Sequence, residues 1–299
     1  MYGSWIIAGL IAGAAAVFVS GRGDRAVPAS ATVLLSALLG FASAKVGYVL
    51  LLLNSTLVYD GLAAFANVRP GTFSFFAGAA GGYAGIVLGA RLFGLNRREW
   101  LRRCVPFIPL FIAFLRAGEK ALGTIGVGGF VPADSSFARF PFAVTNSYGE
   151  HLYAVFYLEA FFALVLAAVL LLCRNGRLYE LRAEMCAFFL ALPQIFAESL
   201  RARCMKWGFV RVEQLLCALL VLVMLFVSCR LIRKAVFCRF WPFAAGVLLV
   251  VCIGLLEYAL DKTDIPVPAC YLMMAAALLG LGFLETYAVS RRFEHTKKG

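Results

Sequence analysis

The sequence is poor in charged residues and in histidine. Only 15% of its 299 residues are charged, and histidine occurs twice, as His151 and His295. This low charge, with 63% hydrophobic residues and a mean hydropathy of +0.88, excludes an ordinary soluble globular domain. Because two histidines argue against a His-based metal site, we expect no metal and no cofactor.

Acidic residues are also scarce: the sequence has 16 Asp and Glu residues against 28 Lys and Arg residues, which gives a net charge of +12. We do not expect a nucleic-acid partner, because the basic residues lie in short loops between apolar runs, as membrane orientation and anionic lipid require. The nine cysteines include no C-x-x-C pair and lie mostly in apolar runs, which is typical of small buried side chains.

The apolar runs predict an all-α polytopic integral membrane protein, a helical bundle with nine hydrophobic segments. The segments are Ser4–Ser20, Ser30–Leu53, Thr72–Phe93, Cys104–Leu122, Leu152–Cys173, Met185–Leu200, Val212–Cys229, Phe240–Leu260 and Ala269–Ser290. We expect the first run to be retained as a helix, because it has no basic n-region and no A-x-A cleavage motif.

The charges of the loops predict the orientation. Loops on the side reached after the first segment carry about twice as many Lys and Arg residues as the loops opposite. This asymmetry places the amino terminus outside and the carboxyl terminus in the cytoplasm. Polar residues of the third to sixth segments then fall at one outer end, so we expect them to converge there.

The stretch Phe107–Gly123 combines an apolar helix with three charges. Arg116, Glu119 and Lys120 follow at i, i+3 and i+4 and therefore share one helical face. A charge near the bilayer centre costs roughly 2.5–3.5 kcal/mol, so three charges need partners or water. They indicate either an intramembrane site for an anionic group or a helix end from which Arg116 reaches the headgroups and pairs with Glu119.

Two other segments carry polar residues. In the sixth, Gln194, Glu198 and Arg201 share one face after Pro193, which should kink the helix. In the second, Lys45 stands three residues before Tyr48, and this lysine either faces a cavity or reaches the headgroups.

Glycine is concentrated in two stretches. The third segment contains overlapping G-x-x-x-G pairs from Gly78 to Gly89, which predict close helix packing. We interpret Gly123–Gly129 as a flexible outer loop. The longer connection Gly123–Glu150 either covers a site or is an ordinary surface loop.

These stretches resemble, in order, the motifs of the prolipoprotein diacylglyceryl transferase family. The similar stretches are ASAKVGYVLLL (Ala42–Leu52), GTFSFFAGAAGG (Gly71–Gly82), FIPLFIAFLRAGEKALG (Phe107–Gly123), GEHLYAVFYLEA (Gly149–Ala160), FLALPQIFAESLR (Phe189–Arg201) and VRVEQLLC (Val210–Cys217). The resemblance implies about seven family-like transmembrane helices over residues 1–230, with an appended helix pair and basic tail over residues 231–299.

The resemblance also implies a reaction, in which phosphatidylglycerol gives its diacylglyceryl group to a lipobox cysteine thiol and glycerol phosphate leaves. The implied partners are phosphatidylglycerol or another anionic phospholipid, a prolipoprotein signal peptide and the bilayer of a bacterial plasma membrane. The implied catalytic residues are Arg116, Glu198 and Arg201. The proton acceptor is unassigned because Phe76 replaces the family's histidine, and His151 and Glu119 are the two candidates. The implied substrate-binding residues are Lys45, Tyr48, Ser74, Phe76, Gly78, Gly118, Glu159 and Gln194.

The sequence departs from the family pattern at three places that matter for chemistry. Phe76 stands where the family has histidine, Glu119 where it has asparagine, and Gln194 where it has the first arginine of the sixth-helix motif. The hypotheses are therefore a divergent transferase, a non-catalytic protein that binds anionic lipid on the same scaffold, and a transporter that uses the intramembrane charges.

Overall fold

The computed structural model describes residues 2–20, 26–52, 61–67, 71–123, 126–173, 176–207, 210–232, 236–262 and 266–294. The helices in these ranges are α1 Tyr2–Ser20, α2 Ala26–Leu51, α3 Ala63–Ala66, α4 Phe75–Leu92, α5 Arg97–Cys104, α6 Phe107–Gly118, α7 Val155–Leu172, α8 Gly176–Glu180, α9 Arg182–Leu200, α10 Val212–Arg230, α11 Val236–Lys262 and α12 Val267–Glu294. Eight of these helices are long and apolar enough to cross a membrane: α1, α2, α4, α7 and α9 to α12. The predicted fold class, a multi-span all-α membrane protein, is confirmed.

The fourth hydrophobic segment differs from the expectation of a continuous membrane helix. Pro106 caps a new helix after α5 has ended at Cys104, and α6 has only 12 residues before a 3-10 turn over Glu119–Leu122. Twelve residues extend about 18 Å, which is less than the bilayer core of about 30 Å.

The α5–α6 stretch nevertheless runs alongside α7 and the short helix after it. At one end Arg102 donates from Nε to the Glu180 carbonyl at 3.0 Å. At the other end Arg116 Nε lies 2.9 Å from the Glu159 carboxylate. The two short helices, α5 and α6, therefore lie in succession beside the single helix α7.

Helices α2 and α4 pack with their backbones unusually close. A Cβ atom built on Gly85 would lie 2.4 Å from Ser36 Cα, and one on Gly81 would lie 2.5 Å from the Leu39 carbonyl oxygen. In addition, Ser36 donates from Oγ to the Gly82 carbonyl at 2.8 Å. The interpretation of the G-x-x-x-G pairs as a helix-packing face is confirmed.

The connection between α6 and α7 contains a small antiparallel sheet with strand order β1-β3-β2. Its strands are β1 Phe130–Val131, β2 Ala143–Thr145 and β3 His151–Tyr153, while β4 Lys206–Trp207 and β5 Val210–Arg211 pair separately. The interpretation of Gly123–Gly129 as a flexible outer loop is wrong for Gly126, Val127 and Gly128, which are buried. Thr124 and Ile125 lie outside the described residues.

Charged and aromatic side chains meet where α5 lies near α8. The Tyr179 hydroxyl donates to Glu99 at 2.5 Å, and the buried Arg182 guanidinium lies 4.6 Å from the centre of the Tyr179 ring. Burial and the hydrogen bond to Glu99 raise the pKa of Tyr179 to about 12.

Packing divides the chain into two compact units. The first comprises Met1–Cys186 and Leu200–Glu213, and the second comprises Ala187–Ser199 and Gln214–Gly299. In the second unit, Leu225, Cys229 and Leu284 belong to an apolar core, and the buried Glu285 accepts from the Ser228 hydroxyl at 2.6 Å. The division predicted at residue 230 stays a prediction.

Candidate functional site

Two arginines distant in sequence meet on one buried carboxylate in the first unit. Arg116, in the last turn of α6, places Nε 2.9 Å from Glu159 Oε2. Arg201, directly after α9, donates from Nε to Glu159 Oε1 at 3.1 Å and from Nη2 to Oε2 at 2.5 Å. Glu159 lies in the second turn of α7, so three separate elements contribute to this cluster. A fork of two parallel hydrogen bonds of this kind fixes the plane of a guanidinium.

Glu119 adds a second carboxylate to the cluster. It lies in the 3-10 turn after α6, with Oε1 2.5 Å from Arg116 Nη1 and Oε2 4.0 Å from Arg201 Nη2. The spacing of i and i+3 between Arg116 and Glu119 makes the first of these contacts local. The pairing of Arg116 with Glu119, which the sequence offered as one alternative, is therefore present, and it belongs to a larger network.

The backbone of residues 126–128 lies directly against this network. A Cβ atom on Gly126 would lie 2.1 Å from Glu119 Oε2, and the residue has a φ of +72°, a region that favours glycine. Gly128 forms a β-bridge with Arg201 and donates its N–H to the Tyr153 carbonyl at 2.8 Å. This buried strap therefore holds the backbone beside Arg201 and covers Glu119.

A further carboxylate, that of Glu213 at the start of α10, binds the first turn of α4. The Phe76 N–H donates to Glu213 Oε2 at 2.9 Å, and Arg116 lies 5.4 Å from the centre of the neighbouring Phe75 ring. Both Arg116 and Arg201 are close enough to Glu213 for an electrostatic interaction. Sequence reasoning missed Glu213. The available signal was a single acid at the start of an apolar helix, inside the stretch VRVEQLLC.

The cluster is not a bare cationic patch, because its carboxylates outnumber its guanidiniums. Two guanidiniums face three carboxylates, those of Glu119, Glu159 and Glu213. A buried charge is tolerated only when it is paired and hydrogen-bonded, and the carboxylates meet that need. Since a guanidinium carries five N–H donors, pairing with a carboxylate does not by itself exclude a phosphate.

Lys45 has partners of its own in the first unit. Its Nζ donates to the Asn67 carbonyl at 2.8 Å and to Thr72 Oγ1 at 3.0 Å. The ammonium also lies 5.6 Å from the centre of the Tyr48 ring and 5.5 Å from that of Phe73. The lysine is buried, and these contacts tie α2 to the chain that leads into α4.

Three small residues of the predicted site serve packing and capping. Ser74 is the N-cap of α4 and accepts from the Ala77 N–H at 3.1 Å. A Cβ atom on Gly78 would lie 3.1 Å from Ala44 Cβ, and one on Gly118 would lie 2.8 Å from Trp5 Cβ. These glycines allow α4 to approach α2, and α6 to approach α1.

The structure gives hydrogen-bond partners for three further predicted residues. His151 lies on β3 with Nδ1 3.2 Å from Thr145 Oγ1. In the second unit, Gln194 donates to Glu198 at 2.9 Å, and both side chains are buried. Pairing of Glu198 with Arg201 stays a prediction. His295 lies outside the described residues, and within the described ranges no three His, Cys, Asp or Glu side chains are arranged to hold a metal ion.

Comparison with known proteins yields one family. The family model for prolipoprotein diacylglyceryl transferases matches residues 1–230, about three quarters of the chain. No curated protein matches the chain. The match covers all the stretches whose motifs resembled that family, and the predicted membership is confirmed.

Proposed function

Because the chain belongs to the prolipoprotein diacylglyceryl transferase family, we propose that it moves a diacylglyceryl group from phosphatidylglycerol to a lipobox cysteine of a prolipoprotein. The family makes it a transferase-like protein of lipoprotein biosynthesis in a membrane. The donor, the acceptor peptide and the bacterial plasma membrane as location belong to our proposal. So do an external amino terminus and a cytoplasmic carboxyl terminus, which rest on loop charge.

The observation that carries the proposal is the meeting of Arg116 and Arg201 on Glu159. In the proposed reaction the substrate sulfur attacks a glyceryl carbon, the bond from that carbon to a phosphate oxygen breaks, and glycerol phosphate leaves. Negative charge builds up on the leaving phosphate, so fixed donors aimed there stabilise the transition state. Arginine suits this task because it stays charged and binds phosphate in a planar, two-pronged manner.

Glu159 and Glu119 have a positioning role in this proposal. Both arginines arrive from helix ends, where long side chains have many rotamers. The carboxylates reduce this freedom before the lipid arrives, since Glu159 contacts both guanidiniums and Glu119 contacts Arg116 at 2.5 Å. A preorganised site spends less free energy on reorganisation when charge develops.

The other family-like residues stay candidates for binding the substrates. We propose Lys45, Tyr48, Ser74, Phe76, Gly78, Gly118 and Gln194 as residues that line or shape the lipid and peptide sites, with Glu198 supporting Arg201. We also propose that residues 231–299 form an appended helix pair that the transfer reaction does not use.

A second function, binding of anionic lipid without catalysis, is favoured by two observations. Phe76 cannot accept a proton, although it occupies the position of the family's histidine. In addition, the carboxylates of the cluster already balance the charge of both arginines. A protein that only holds an anionic lipid needs the arginines but needs no base.

A mass-shift assay separates the two functions. The purified protein is incubated with phosphatidylglycerol and a lipobox peptide, and the peptide is analysed by mass spectrometry for a diacylglyceryl adduct. Arg116→Ala is the test variant, and Arg139→Ala, which changes an exposed arginine of the α6–α7 connection, is the matched control. We expect an adduct with wild type and with Arg139→Ala, and a loss of at least a hundredfold in rate with Arg116→Ala. Wild type that binds lipid through Arg116 without forming an adduct would establish the non-catalytic function.

A further inference from the structure

Glu213 has one carboxylate oxygen with no hydrogen-bond donor in the described part of the chain. The residue is only 4% exposed. Its Oε2 accepts the Phe76 N–H at 2.9 Å, whereas Oε1 is buried and accepts no hydrogen bond from any described residue. Buried polar atoms are nearly always hydrogen-bonded, so an oxygen in this state needs an explanation, and a catalytic role is one.

The surroundings of Glu213 connect this oxygen with the arginine cluster. Arg116 and Arg201 both interact electrostatically with the carboxylate, and the Ser74 side chain hydrogen-bonds it from the N-cap of α4. Glu119 and Glu159 are the other charged groups of the cluster, and each contacts both guanidiniums. Glu213 therefore stands beside the groups proposed to hold the phosphate, without being the residue that positions them.

The transfer reaction requires a proton acceptor, because the thiolate and not the thiol is the nucleophile. His151 is hydrogen-bonded within the small sheet to Thr145, and Glu119 and Glu159 form the ion pairs with the arginines. Two carboxylates of this cluster, Glu119 and Glu213, each have a buried oxygen that accepts no hydrogen bond in the described ranges. Glu119 Oε2 lies 4.0 Å from Arg201 Nη2, and the backbone at Gly126 covers it, so its charge is engaged in the ion-pair network. Glu213 forms none of these short ion pairs and is the remaining candidate.

We propose that Glu213 is a catalytic residue that accepts the proton of the substrate thiol, an assignment that rests on the proposed transfer function. The S–H proton passes to Glu213 Oε1 while the sulfur forms a bond to the glyceryl carbon. The bond from that carbon to the phosphate oxygen breaks, and its electron pair stays on the leaving glycerol phosphate, which Arg116 and Arg201 hold. The protonated Glu213 then returns its proton to water.

The position of Glu213 explains how the chain can work with Phe76. The backbone N–H of Phe76 itself binds the Glu213 carboxylate. A carboxylate from the start of α10 thus binds the first turn of α4, the turn that contains Phe76.

Glu213→Gln is the test variant, because glutamine keeps the size of the side chain and can still accept the Phe76 N–H. The control is Glu285→Gln, which makes the same change at another buried carboxyl, one that binds Ser228. Adduct formation is measured with two lipobox peptides, one with cysteine and one with selenocysteine. A selenol is ionised at neutral pH, whereas a thiol is largely protonated, so the selenocysteine peptide does not need a base.

With the cysteine peptide, we expect Glu213→Gln to lower the rate by a factor of about 10² to 10⁴, the usual contribution of a general base. We expect the selenocysteine peptide to restore the rate to within about tenfold of wild type, with an unchanged KM for phosphatidylglycerol. Glu285→Gln should match wild type with both peptides. A structural role of Glu213 would lower the rates with both peptides equally.

Three results would overturn the assignment. A Glu213→Gln rate within threefold of wild type, or an equal loss with both peptides, removes Glu213 from the chemistry while the transfer function stands. Wild type that forms no adduct with either peptide refutes the proposed function and the assignment with it. If Glu213→Gln does not fold, as judged by gel filtration, Glu213→Asp is measured instead. The shorter carboxylate should lose rate with the cysteine peptide and regain it with the selenocysteine peptide.

Discussion

Replacing Glu159 with glutamine should destabilise the protein more than any other single Glu→Gln change in the arginine cluster. The Glu159 side chain is 4% exposed, and those of Arg116 and Arg201 are 13% and 12% exposed. Glutamine has the same shape but no charge, so the change removes one carboxylate from two buried guanidiniums at once. The effect is therefore electrostatic and leaves no cavity.

The size of the effect follows from the distances. Two unit charges about 4 Å apart attract by about 4 kcal/mol at an effective dielectric constant of about 20, and Glu159 has two such partners. Desolvation of the ions offsets much of this gain, and measured losses on breaking a buried pair are about 3–5 kcal/mol. We expect Glu159→Gln to lower the free energy of unfolding by this amount. For Glu119→Gln, whose only short contact is with Arg116, we expect about 2 kcal/mol.

The free energy of unfolding is measured by titrating sodium dodecyl sulfate into dodecylmaltoside micelles that hold the purified protein, with helix content as the signal. Glu150→Gln, at an exposed loop carboxylate, is the control and should change stability by less than about 0.5 kcal/mol. The reasoning fails if Glu159→Gln stays within about 1 kcal/mol of wild type, or if it costs no more than Glu119→Gln. Either result would mean that the bridging contacts add little in the folded protein.

Two further predictions concern helix packing and pH. Gly85→Ala should lower the free energy of unfolding by about 1–3 kcal/mol in the same assay, because the new Cβ meets the Ser36 backbone. Gly254→Ala is the control and should not destabilise the protein, because no atom lies near its Cβ. Equal effects of the two changes would contradict the packing argument. The pKa of Tyr179 is raised from 10.0 to about 12, so its contribution to stability should be complete below pH 10 and be lost as pH rises to about 12. A difference titration of tyrosinate absorbance between wild type and Tyr179→Phe should show a midpoint near 12, and a midpoint near 10 would be evidence against the hydrogen bond to Glu99.

Hydropathy and motif order were sufficient to predict the class, the family and the long helices. A membrane span is a local property, because about 20 apolar residues must satisfy their own backbone hydrogen bonds in lipid. The G-x-x-x-G face of α4 and the contact between Arg116 and Glu119 were also predictable, since helical periodicity places such residues on one face. These features depend on neighbours within a few residues of each other.

The tertiary structure decided which distant charges meet. Nothing in the local pattern around Glu159 indicates that it bridges Arg116 and Arg201, and nothing near Glu213 indicates that it binds the first turn of α4. The break between α5 and α6 and the burial of residues 126–128 likewise came from the structure. The physical reason is that an ion pair depends on where the ends of separate helices come to lie. That position is set by packing between helices, including the close approaches that glycines allow, and the sequence of any one helix does not contain it.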